Sequence, residues 1–119
     1  MPDEQPVVII ISCDPRVTGR AFEAMRIGVG IVAGENEITL VLTGPAVHLL
    51  DDDTDDLVDG DDIDKFRTNL KRLDIPFHVE AAAVPSDADW NAAGHPVVTV
   101  TAQEIAGLVR RARRALVFR

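Results

Sequence analysis

The sequence predicts a three-layer α/β/α sandwich on a mostly parallel, five-stranded sheet. Three observations lead there. The run VVIII at 7–11 is continuous and β-branched, the pattern of a strand buried on both faces of a parallel sheet. Four more short apolar stretches follow at 37–43, 75–81, 97–100 and 115–118. Between most of them, apolar residues recur at helical spacing, so strands and helices alternate, and such alternation gives parallel neighbours.

Each element carries its own local signal. After VVIIIS at 7–12, the turn SCDPRVTG is punctuated by Pro15 and Gly19. A helix over 18–34 places Ala21, Phe22, Met25, Val29 and Val32 on one stripe, with Gly34 as its stop. Gly28 and Gly30 weaken it by about 1 kcal/mol each relative to alanine, which suggests close packing against a neighbour. EITLVLT at 37–43 is a second buried strand, stopped by Gly44-Pro45, and AVHLL at 46–50 is a short helical turn. A helix over 63–73 presents Ile63, Phe66, Leu70 and Leu73 on one face, with Asp61 or Asp62 as N-cap and Lys71 and Arg72 at its negative end. IPFHVEA at 75–81 is a weaker third strand, 82–96 is loop, and VVTV at 97–100 is the fourth strand. Thr101 and Glu104 form a capping box that opens a helix to about Arg113, with Ile105, Leu108, Val109 and Ala112 inward. ALVF at 115–118 is the fifth strand. The whole is flavodoxin-like in general form, and ligands of such sheets gather at the carboxyl ends of the strands. That directs attention to 12–18, 43–48, 80–90 and 100–102.

The chain has 119 residues, 46% hydrophobic and 27% charged, which suits one domain over 1–119. No apolar run approaches the ~20 residues of a membrane span. The acidic start MPDEQP lacks the basic flank of a secretory signal, and the single cysteine excludes an internal disulfide framework. The expected compartment is the cytoplasm.

The net charge of −8 is local: 51–64, DDDTDDLVDGDDID, holds nine of the 20 acidic residues. Like charges there predict an extended, solvated loop. Five of the ten arginines fall at 110–119. This basic cluster has no aromatic interleaving, so pairing with acidic neighbours, on this or another subunit, is expected rather than nucleic-acid binding.

Four residues are singled out for chemistry. Cys13 follows the first strand, where Arg16 and the next helix's start would lower a thiol pKa; the plainer reading is a small half-buried residue. His48 follows the second strand and points toward the strand-end crevice, where it is a conceivable partner for Cys13. Trp90 is a candidate binding anchor, or a packing residue of its loop. His78 lies in a strand and reads as packing; His95 precedes Pro96 in the loop. No cofactor is expected: Gly28, Gly30 and Gly34 close a helix where a dinucleotide fingerprint would open one, and there is no Walker A motif. No metal site is expected either. Asp51, Asp53 and Asp55 match the first alternate ligands of an EF-hand, but Asp56 stands where glycine belongs and Asp62 where glutamate does. A response-regulator receiver fails on residues: only Asp14 follows the first strand, and the lysines are Lys65 and Lys71.

The opening strand with its small-residue helix, EITLVLTGPAVHLL at 37–50, and the closing order IDKFRTNLKRL, strand with loop, TAQEIAGLVRRARRALVFR together resemble the DsrE/DsrF/DsrH-like family of small sulfur-relay proteins. The resemblance spans nearly the whole chain. It implies a parallel five-stranded α/β sandwich that assembles into trimers or hexamers, as homo-oligomers or with related subunits. Some members carry a persulfide on a cysteine in the loop after a central strand. The matching stretch here, about 80–90, has no cysteine, so the resemblance implies a non-catalytic binding or accessory subunit linked to sulfur metabolism. The alternatives are a thiol-dependent sulfur carrier using Cys13 and a small-ligand module using the crevice at His48.

Overall fold

In the computed structural model, which describes residues 6–34 and 37–119, five strands form one sheet. They are β1 (Val7–Ile11), β2 (Ile38–Leu42), β3 (Phe77–Glu80), β4 (Val97–Val100) and β5 (Arg114–Phe118), in the order β4-β3-β2-β1-β5. Every neighbouring pair is parallel. Three helices connect them: α1 (Arg20–Ala33), α2 (Gly60–Arg72) and α3 (Ala102–Arg111). The acidic start at 1–5 lies outside the described residues.

The strand order dictates the layers. The first three connections step across the sheet in one direction. The last, through α3, returns from one edge to the other and sets β5 beside β1. Right-handed crossovers then put α1 and α2 on one face and α3 on the opposite one. Register agrees: Ile9 lies opposite Leu40 and Leu116, and Leu40 opposite Phe77. These side chains share a face, and there Ile9, Ile11, Leu40, Leu42, Phe77 and Val79 pack with Ala21, Ala24 and Met25 of α1 and Ile63 and Leu70 of α2. Each such Leu or Ile contributes about 1.5–3 kcal/mol by burial, so this layer dominates the core. On the other face Val8 and Val41 are fully buried, while Val98 and Val117, on the two edge strands, stay 43% and 48% exposed.

The two mid-helix glycines of α1 differ. A Cβ on Gly28 would lie 3.3–3.4 Å from the tips of Ile9, Ile38 and Leu40, whereas one on Gly30 would meet open space. Only Gly28 lets the helix approach the sheet closely. Gly34 serves as the C-cap, at φ −84°.

Three features depart from expectation. Helix α2 starts before Asp61 and Asp62: its N-cap is Asp59, at φ 60°, and makes no side-chain cap. Loop packing overrides the local cap signal here. Val58 N–H donates to Pro15 O at 2.7 Å, Leu57 is buried in the core, and Gly60 sits against the Thr54 carbonyl. For the same reason the acidic run is not a freely extended loop. In α3 the Thr101–Glu104 capping box forms in both directions, but Val109 is 37% exposed rather than inward. Among the described residues, no helix is long and apolar enough to cross a membrane.

Candidate functional site

The carboxyl ends of β2 and β3 open into a small pocket with two walls. The first wall follows β2. Thr43 N–H donates to Ile11 O, and Thr43 Oγ1 pairs with Ser12 Oγ at 2.7 Å. Gly44, at φ +52°, and Pro45 then turn the chain into a 3₁₀ helix over Gly44–Leu50. Gly44 N–H is held by the Glu80 carboxylate at 3.1 Å. This short helix buries Ala46, Val47, Leu49 and Leu50 and leaves His48 facing outward. His48 Nδ1 lies 3.0 Å from both carboxylate oxygens of Asp51.

The second wall is the loop between β3 and β4, which zips onto the first. Asn91 N–H donates to Leu50 O at 2.8 Å and Asp52 N–H to Asp89 O at 3.3 Å, around an antiparallel bridge between Asp51 and Trp90. The Trp90 indole N–H donates to Val47 O at 2.8 Å. Between the walls is a cavity of about 170 Å³. His48, Asp51, Asp52, Asp53 and Asp56 line one side; Pro85, Asp87, Asp89 and Trp90 line the other. The volume is below the ~300–1,000 Å³ of drug-sized clefts, so it suits a small group or one side chain. Six carboxylates against one imidazole and an indole favour a positive guest.

Arg67 of α2 braces this site from within. It is only 2% exposed. Its Nη1 donates to Leu49 O at 3.0 Å and Asp51 O at 2.6 Å, and its Nη2 to Asp64 at 3.0 Å. A planar fork is suited to two carbonyls and a carboxylate at once.

His48 and Trp90 thus meet at one pocket. Cys13 and Arg16 follow β1 and are not among its lining residues. Cys13 is 8% exposed, and burial pushes its thiol up more than its backbone hydrogen bond and the charge of Arg20 pull it down. Arg16 is engaged elsewhere: Nε and Nη2 grip Asp14 at 3.0 and 2.9 Å, which holds the Asp14 carboxyl below its usual range. The cation acting on the thiol is Arg20, not Arg16. Among the described residues no group of three or more His, Cys, Asp or Glu is arranged to hold a metal ion; Asp61 and Asp62, at the end of the EF-hand-like spacing, already belong to α2.

Sequence reasoning missed Asp87, Asp89 and Arg67, and weighed Asp51 only as an EF-hand ligand. The three aspartates are ordinary loop residues until the bridge at Trp90 brings their segments together. Arg67 carried a legible signal, a charged residue on the stripe between Ile63 and Leu70.

No protein-family model matches the chain, and no curated protein matches it. Among solved structures it is similar to the crystal structure of the YchN protein from E. coli, at a TM-score of 0.72 and 20% sequence identity, over 96% of this chain and 99% of that one. At that identity the likeness concerns the fold alone: the two chains share one overall α/β architecture.

Proposed function

We propose that this chain is a cytoplasmic, DsrE/F-like binding or accessory subunit, non-catalytic and linked to sulfur metabolism, that receives a cationic group of its partner in the His48–Trp90 pocket. The observation that carries the binding reading is the convergence of six aspartates with Trp90 on one cavity. The link to sulfur metabolism rests on the resemblance in sequence and the likeness in fold. The same chain carries a suitable counter-charge. Arg110, Arg111, Arg113 and Arg114 are exposed and make no ion pair among the described residues. Arg113 N–H donates to Pro6 O and Arg114 pairs with Val7, so they mark the amino edge of the sheet, opposite the pocket. Acidic and basic ends on one molecule favour assembly, with further copies as a trimer or hexamer or with related subunits.

The test is titration with a short arginine-rich peptide, followed through the emission of Trp90, the only tryptophan. A saturable change at low salt is expected, lost in the D87N/D89N double variant and suppressed near 1 M salt, where screening reaches within about 3 Å. A flat titration of the wild type rejects the pocket as a cation site. Light scattering that shows a strict monomer at low salt rejects the assembly.

A second reading is a sulfur carrier using Cys13. It is favoured by the position of Cys13 at the carboxyl end of β1. Sulfane sulfur would move from a persulfide donor, which leaves as a thiol, onto Cys13. Intact mass decides: a gain of one sulfur that vanishes in Cys13→Ser supports it, and no gain ends it.

A further inference from the structure

We propose that His95 is an acid-sensitive latch on the loop that forms the Trp90 wall of the pocket, so that protonating its ring frees this loop and opens the cavity. As a regulation of that site, the proposal rests on the binding reading above. The opening itself is read without any ligand.

The surroundings of His95 oppose a second proton on its ring. The residue is 6% exposed, and its Nδ1 has no hydrogen-bond partner among the described residues. The Phe77 ring of β3 stands edge-on to the imidazole, with centroids 6.4 Å apart and planes at 88°. From α2 two cations, Arg67 and Lys71, oppose a charge on the ring; the one carboxylate acting on it, Asp64, is already bonded to Arg67. Burial is the largest cause that holds the ring neutral, and the two cations act in the same direction.

His95 is also tied to the wall. The Asn91 side chain clasps its backbone twice, donating to His95 O and accepting from His95 N–H, both at 3.0 Å. Lys71 Nζ holds Ala93 O at 2.9 Å. Asn91 adjoins Trp90, and its own N–H anchors to Leu50. Expelling the imidazole toward water therefore strains a short lever that ends on the indole. The closed loop holds His95 neutral, whereas an opened loop exposes it to water, where histidine titrates near ~6.5. Acidification through that value shifts the population toward the open loop.

The test is acrylamide quenching of Trp90 between about pH 8 and about pH 5. We expect accessibility to rise about threefold with a midpoint below ~6.5, while far-UV circular dichroism stays unchanged. His95→Gln abolishes the transition. His48→Gln keeps it, which separates loop opening from quenching by the nearby imidazole. A flat wild-type profile, a transition that survives in His95→Gln or disappears in His48→Gln, or loss of dichroism in parallel with quenching each overturns the latch. Should His95→Gln not fold, NMR titration of the wild type decides. His95 ring signals and the Trp90 indole signal must share one midpoint; separate midpoints overturn the proposal. Because no peptide is present, a failed latch leaves the cation reading standing, and a failed peptide titration leaves the latch measurable.

Discussion

The indole N–H of Trp90 donates to the carbonyl oxygen of Val47 at 2.8 Å, tying the β3–β4 loop to the 3₁₀ helix that follows β2. Val47 is 2% exposed, so water is poorly placed to replace the donor. Trp90→Phe keeps an aromatic ring but removes that hydrogen bond, a loss of about 0.5–1.5 kcal/mol. Urea unfolding followed by circular dichroism is expected to show a lower midpoint, and an unchanged midpoint would show the bond to be incidental.

Arg67 is expected to be among the most sensitive polar positions. Arg67→Met removes the donor to Leu49 O and Asp51 O together and leaves both carbonyls unpaired, at about 2–4 kcal/mol. Arg67→Lys should not rescue it, since one ammonium cannot reproduce the fork. Chemical denaturation of both variants checks this, and full rescue by lysine contradicts the bracing geometry.

Two glycine substitutions should act in opposite directions. A Cβ at Gly60 collides with the Thr54 backbone carbonyl, while at Gly30 it meets open space inside α1. Gly60→Ala is expected to destabilise by about 1–3 kcal/mol, and Gly30→Ala to stabilise by about 0.5–1 kcal/mol through helix propensity. Thermal melts of the pair suffice; equal shifts would contradict the packing described.

Cys13 should be a slow nucleophile. Its burial and raised thiol pKa predict modification by a disulfide reagent at about pH 7 at least ~10-fold slower than an exposed cysteine, because little thiolate is present. Urea should restore the fast rate. Fast labelling of the folded chain would instead support the sulfur-carrier reading.

Stability should fall with mild acid. Burial lowers the pKa of both His78 and His95 in the folded chain. The unfolded chain then binds more protons below the ordinary histidine value of ~6.5, so stability is full above that value and declines as pH drops through it. Urea midpoints at about pH 7.5 and about pH 5.5 should differ in that direction. An equal or higher midpoint in the more acid buffer would mean that neither ring is held neutral by the fold.

Much of the fold was legible from short-range pattern. The run at β1, the strand at β4 and the Thr101–Glu104 box each depend on residues close in sequence, and all three form as expected. The start of α2 was not legible, because Asp59 and Gly60 are placed by contacts with Thr54, Leu57 and the turn at Pro15. Nor was the exposure of Val109, which stands 37% open on α3.

The parallel run of the strands, with helices between most of them, follows from hydrophobic period and connection length, which are local properties of the chain. Three-dimensional contact alone sets His48 and Trp90 on one acidic cavity, buries Arg67 beneath it and shields Cys13 beside β1. Those relationships arise where the loop after β3 closes on the turn after β2, and contact between segments remote in sequence is set by the geometry of the sheet rather than by either segment alone.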